Sequence, residues 1–242
     1  MSANSNNSAQ ISLANLPIIR WIFSSIGKKT VVAVTGFLLV AFLVGHLMGN
    51  FTLYFGQDAI NTYAEKLQSL GPLLWLVRLA ILTIFLSHIW FTVLLILDSR
   101  AASGSKYICK NNMGSTIFVR TMKYTGLIVF AFIVFHLAHL TLGYVQPEYF
   151  HLKDSLGRHD VYSMVIHGFK NVPISIFYIL ALTLLASHLS HGISSLLQTF
   201  GLSNKKLHPL IENAGAIIAW ALWLGYVSLP ISVLLGFVKL PA

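Results

Sequence analysis

Long apolar runs separated by short polar connections dominate the chain. Five runs stand out, at residues 30–51, 73–97, 117–145, 174–200 and 214–238. Crossing the hydrocarbon core of a bilayer takes about 20 residues at a helical rise of about 1.5 Å each. All five runs meet that length and are too long for strands. Backbone groups in lipid find no water, so each segment bonds within itself as a helix. The predicted fold is all-α, an integral membrane bundle of five transmembrane helices, with Pro230 expected to kink the fifth.

The remaining segments are short. Residues 11–26 are moderately apolar and too short to span, which predicts a helix along the membrane surface. The chain thus divides into an N-terminal segment, residues 1–26, and a membrane domain, residues 27–242. In the connection 146–171, residues 161–169 are expected to lie along the opposite surface. The pattern shows no internal repeat and no separate soluble domain.

Composition agrees with a bilayer as the solvent. Of 242 residues, 56% are apolar and only 10% charged, too few charges for a soluble domain. Residues 1–10 are polar and uncharged, and Pro17 and Arg20 interrupt the next apolar stretch, so no cleavable signal peptide is expected. The single cysteine, Cys109, lies in a polar loop, which excludes an intrachain disulfide and a thiolate-held iron–sulfur cluster.

The net charge of +9 reads as loop charge beside lipid rather than as a nucleic-acid surface. Ten basic residues, Arg20, Lys28, Lys29, Arg100, Lys106, Lys110, Arg120, Lys123, Lys205 and Lys206, fall on the N-terminal side of the bundle. Six, Lys66, Arg78, Lys153, Arg158, Lys170 and Lys239, fall on the other, together with Asp58, Glu65, Glu148, Asp154 and Asp160. This bias predicts a cytoplasmic N-terminus and a C-terminus outside.

The chemistry lies in the histidines. Of ten, six sit within the spans: His46, His88, His136, His139, His188 and His191. One intramembrane histidine can simply bond a neighbouring helix, but four helices carrying at least one each point to a site. His46 and His136 each lie roughly 28 Å along their helices from the cytoplasmic end. His88 and His188, on descending helices, lie roughly 15 and 18 Å above it. Two pairs follow at two depths, His46 with His136 outside and His88 with His188 inside, separated by roughly 12 Å.

Two neutral imidazoles saturate a haem iron axially, and such haems exchange electrons without binding oxygen. Zinc would draw its ligands to one depth, often with a carboxylate, and no acidic residue lies well inside a span. The same lack argues against an ion pump or proton-coupled transporter. His139 and His191 each lie three residues from a proposed ligand, nearly on the same helix face. On spacing alone, either can replace its neighbour as ligand or contact a propionate, a quinone or another helix.

The first span closes on Gly45-His46-Leu-Met-Gly-Asn-Phe51 and the second holds Ser87-His88. The third has Thr125-Gly126 ten residues before His136, and the fourth has His188-Leu-Ser-His191-Gly192 with Gly201 beyond. Over residues 24–238 the chain resembles the cytochrome b subunit of succinate dehydrogenase and fumarate reductase, in its single-subunit, five-helix, two-haem class. The resemblance implies two haem b groups, the outer on the first and third helices and the inner on the second and fourth. It favours His136 over His139 and His188 over His191. It also implies a flavoprotein subunit, an iron–sulfur subunit on the cytoplasmic face, a membrane quinone expected to be menaquinone, and the bacterial cytoplasmic membrane. Neither the flavin nor the dicarboxylate site belongs to this chain.

One departure stands out. Some menaquinol-linked relatives carry a glutamate two residues before the fourth-helix ligand, where this chain has Ala186. Glu65 resembles in position an acid proposed to take quinol protons, and otherwise reads as an ordinary loop acid. Lys28, Lys29, Arg120 and Lys123 lie where they can pair with haem propionates or serve as positive-inside charges. Trp21, Trp75, Trp220 and Trp223 read as interface or packing residues.

Two other readings compete. Haem subunits of hydrogenases, formate dehydrogenases and nitrate reductases often place two ligands on one helix. Here the closest same-helix histidines are three apart, too near to serve two stacked haems. A haem-free anchor or transporter differs by lacking a bis-histidine spectrum.

Overall fold

The computed structural model describes residues 16–102, 117–204 and 206–241, with side chains from residue 122 onward in the second stretch. Residues 1–15, Cys109, Lys106, Lys110, Lys205 and the Arg120 side chain lie outside the described residues. The described chain is helical: α1 (Pro17–Ile22), α2 (Ser25–Phe51), α3 (Gln57–Ser69), α4 (Pro72–Ala102), α5 (Ile117–His136), α6 (Pro147–Phe150), α7 (Val161–Lys170), α8 (Val172–Thr199) and α9 (His208–Leu234). Five helices, built on α2, α4, α5, α8 and α9, are long and apolar enough to cross a membrane.

Capping residues decide where these helices begin. The Ser24 side chain accepts a hydrogen bond from the Gly27 N–H, so α2 starts five residues before the predicted 30. The predicted surface helix is described only as the six residues of α1. Asn171 caps α8 by accepting from the Ile174 N–H. At the end of α5 the chain widens into a π turn, Leu137–Thr141, closed by the Leu142 N–H on the Leu137 carbonyl at 2.8 Å. The helical run therefore stops short of the predicted 145. Pro230 sits fully buried inside α9, which continues to Leu234.

Helix α8 packs on α5, α2 and α9, and α2 also packs on α4. Lipid tails are as apolar as leucine, so close backbone approach rather than hydrophobic burial drives such contacts. The α8–α9 pair shows how: a Cβ on Gly215 would meet the Ser194 hydroxyl at 2.5 Å and the Ser190 carbonyl at 2.9 Å. Ala219, one turn further, is completely buried. By contrast α4 has no buried residue and meets α5 through stacked Phe85 and Phe130, 6.2 Å apart.

One end of the bundle is closed by α3 and α7, a correction to the expected surface position of residues 161–169. Tyr162, Ser163, Met164, Val165, Ile166, Gly168 and Phe169 are buried, because α7 inserts between α3, α8 and α9. Buried Asn61 of α3 organises the junction. Its amide donates to Asp154 and Asp160, and its carbonyl accepts from the Tyr162 N–H. Arg158 donates to Asp154, Thr62 and Asp58. Burial pushes the Asp154 and Asp160 carboxyls up, but hydrogen bonds from Asn61, Arg158, Ser163 and Gln57 outweigh it and hold both below the ordinary value.

Candidate cofactor site

Helices α2 and α5 run in the same direction, and each brings a histidine to the α3/α7 half of the bundle. The rings of His46 and His136 lie 6.0 Å apart, centroid to centroid, with planes at 83°. Two imidazoles on opposite sides of one metal ion, with bonds of about 2 Å, hold their centroids roughly 6 Å apart. The spacing therefore fits a pair of axial ligands. Phe42 stacks on His46 at 5.4 Å, and Tyr226 of α9 flanks it at 6.2 Å. The Tyr226 hydroxyl donates to the Leu43 carbonyl at 2.7 Å, fixing that ring in place.

His139 is engaged otherwise. It is 3% exposed, and both ring nitrogens are hydrogen-bonded, Nδ1 to the Tyr178 hydroxyl at 2.9 Å and Nε2 to the Gln146 Oε1 at 3.0 Å. The amide oxygen can only accept, so Nε2–H donates to it and Nδ1 accepts from the Tyr178 O–H. The same Tyr178 oxygen lies 3.4 Å from the His136 Nδ1 and accepts from it. That leaves the His136 Nε2 with its lone pair. A π turn carries His139, whose ring lies 5.7 Å from that of Tyr178 while the His136 ring lies 6.0 Å from it.

His88 of α4 and His188 of α8 occupy the other half. His88 Nδ1 is 3.1 Å from the Thr35 hydroxyl of α2, and His188 Nδ1 is 3.3 Å from the Thr125 hydroxyl of α5. A Cβ on Gly36 would meet the His88 Cε1 at 3.3 Å, and one on Gly126 the His188 Cε1 at 3.4 Å. Each imidazole thus rests on a Thr-Gly pair of the neighbouring helix. Thr35 precedes His46 by eleven residues, and Thr125 precedes His136 by the same eleven. Since His46 and His136 are neighbours, both seats lie at one depth, about 16 Å along the helix from the outer pair. That exceeds the 12 Å expected from residue counting. His88 and His188 are not in ring contact, and each is held by the threonine of its own neighbouring helix.

Among the described residues, no buried side-chain nitrogen or oxygen lacks a hydrogen-bond partner. Among the described residues, the Nε2 atoms of His88, His136 and His188 make no hydrogen bond. No group of three or more His, Cys, Asp or Glu side chains converges among the described residues. The donor set is pairs of imidazoles, which suits a metal whose other ligands come from a macrocycle.

The remaining candidates are placed as follows. His191 is half-buried on α8. Lys28 is paired with Asp98, pinning α2 to α4. Lys29 is exposed, and the Lys123 ammonium sits 4.9 Å above the Tyr124 ring. Exposed Glu65 lines a cleft of about 200 Å³ with Asn61, Gln68, Gly157, Arg158 and His159. Ala186 is buried between α8 and α9.

The two seats expose a repeat that hydropathy did not reveal. Helices α2 and α5 share Thr-Gly-x4-Ala-Phe-x-Val-x-His-Leu, at residues 35–47 and 125–137. Helices α4 and α8 share Leu-Thr-x3-Ser-His, at residues 82–88 and 182–188. The identities are few, and only the matching contacts single them out. Tyr178 is a further residue that the sequence analysis missed; an apolar helix with one tyrosine carries no signal of its partners.

No family model matches the chain, and neither a curated protein nor a solved structure matches it.

Proposed function

We propose that this chain is a two-haem cytochrome b that anchors a succinate dehydrogenase or fumarate reductase in the membrane and connects it to quinone. The observation that carries the reading is the pair of imidazoles, His46 and His136, 6.0 Å apart in the apolar bundle, with His88 and His188 each seated on a neighbouring helix about 16 Å below. A haem-free anchor has no need of such spacing.

In this reading His46 and His136 hold the outer haem, and His88 and His188 the inner. Bound haem b supplies reversible one-electron transfer. The chain's own residues fix the ligand imidazoles, keep water from them and set the two levels. Tyr178 orients His136, and the Lys28–Asp98 pair fastens α2 to α4 at the inner end. His139, with both nitrogens engaged, braces the outer site instead of binding iron. Glu65 and the neighbouring cleft are the candidate place for quinone and its protons. Burial pushes the His159 imidazole beside it below its ordinary value, which favours the neutral ring.

The N-terminus lies in the cytoplasm, the membrane is the bacterial cytoplasmic membrane, and the partners are a flavoprotein and an iron–sulfur subunit docked at the α1 end. The test is purification of the tagged chain from its native membrane in mild detergent. The reading requires a flavin-bearing and an iron–sulfur protein to co-purify, and succinate to reduce the haem b spectrum. Co-purification with a hydrogenase or formate-oxidising partner would replace it.

A further inference from the structure

The Thr-Gly seats do more than hold two rings. The Thr35 hydroxyl lies 2.7 Å from the Val31 carbonyl and 3.2 Å from that of Val32, and its one hydrogen goes to them. The Thr125 hydroxyl likewise donates to the Met122 carbonyl at 3.0 Å. Each oxygen can therefore only accept from the histidine beside it. The imidazoles of His88 and His188 therefore carry their protons on Nδ1, shared between the threonine oxygen and the Val32 or Met122 backbone carbonyl, which leaves Nε2 bare. Both threonines are buried, at 8% and 7% exposure, so water does not compete for the bond.

From this geometry we propose that Thr35 and Thr125 are positioning residues that help fix the ring orientation and the tautomer of the two inner histidines. This rests on the cytochrome reading. The helix that supplies an outer ligand also supplies, eleven residues earlier, the acceptor that prepares an inner one. Two copies of one helix-pair unit, α2 with α4 and α5 with α8, thus build both levels, and each level takes one ligand from each unit. Gly36 and Gly126 belong to the seat, because a side chain at either would crowd the imidazole.

An accepted N–H makes an imidazole a stronger donor and favours oxidised iron. Losing one such bond, worth about 1 kcal/mol in all, shifts the inner haem towards its reduced form by at most about fivefold at a fixed potential, because only the part that differs between oxidised and reduced iron counts. The experiment is a spectroscopic redox titration of the purified complex with Thr35→Val, Thr125→Val, the double variant, and Thr35→Ser with Thr125→Ser. His88→Ala, which lacks the inner haem, identifies the outer signal. The expected result is two haems in the valine variants, a measurable inner-haem shift of up to about fivefold each, an unmoved outer haem, and wild-type behaviour with serine. Loss of the inner haem with valine but not serine also supports the proposal. Equal shifts with valine and serine, or no shift with both haems present, overturn it and leave the cytochrome reading intact. A wild-type protein without haem overturns the reading itself.

Discussion

The Tyr178 hydroxyl lies 2.9 Å from the His139 Nδ1 and 3.4 Å from the His136 Nδ1, one oxygen serving two histidines of the same helix. The two histidines, indistinguishable by spacing, are thereby distinct in chemistry. His139 is saturated by Tyr178 and Gln146, whereas His136 retains a free lone pair. His136→Ala is expected to remove the outer haem. His139→Gln is expected to retain both haems while lowering stability by about 1–3 kcal/mol, because it disturbs buried hydrogen bonds. Haem-to-protein ratios and detergent unfolding curves of the two variants decide this. An outer haem lost only from the His139 variant would reverse the roles.

The pairing of levels makes its own prediction. His88→Ala and His188→Ala are expected to delete the same haem, and His46→Ala and His136→Ala the other. Loss of one haem by both His46→Ala and His88→Ala, seen by redox titration of each single variant, would break the pairing.

The closed α3/α7 end should respond to acid. Asp154 and Asp160 are held below the ordinary 3.8 in the folded state. A depressed carboxylate contributes stability above its unfolded value and loses it as pH falls through the folded one. The segment 147–170 is therefore expected to stay protected from hydrogen exchange from pH 7 down to the ordinary carboxyl value of 3.8, and to lose protection progressively as pH falls below it. Asn61→Ala, which strips the shared donor from both carboxylates, should open it at neutral pH by about 1–3 kcal/mol. Protection that persists unchanged to pH 3 would refute the role assigned to the carboxylates.

Glu65→Gln removes the only carboxylate lining its cleft among the described residues. It is expected to slow quinone turnover by about 10²-fold or more, in keeping with the loss of a general acid–base group. Both haem spectra should stay unchanged. Wild-type turnover in that variant would return Glu65 to an ordinary loop acid.

Much of this architecture was legible in the chain. Five spans follow from apolar run length, and the neighbouring His46 and His136 match depths counted from helix ends. What escaped was set by tertiary contact. Residues 161–169 are apolar enough to lie on a membrane, but the Asn61–Asp160 junction draws them into the bundle as α7. Thr35 and Thr125 look like ordinary polar residues of a span, and only their distances to His88 and His188 give them a role. Lys28 carries no mark in sequence that Asp98, seventy residues away, is its partner.

The central claim reduces to a count. Extracted haem from the purified, non-denatured chain should give two b-type haems per polypeptide, each with a low-spin bis-imidazole signature in its reduced-minus-oxidised and magnetic-resonance spectra. Protein supplied with excess haem b that still binds none, or binds it only in a five-coordinate form, would contradict the account.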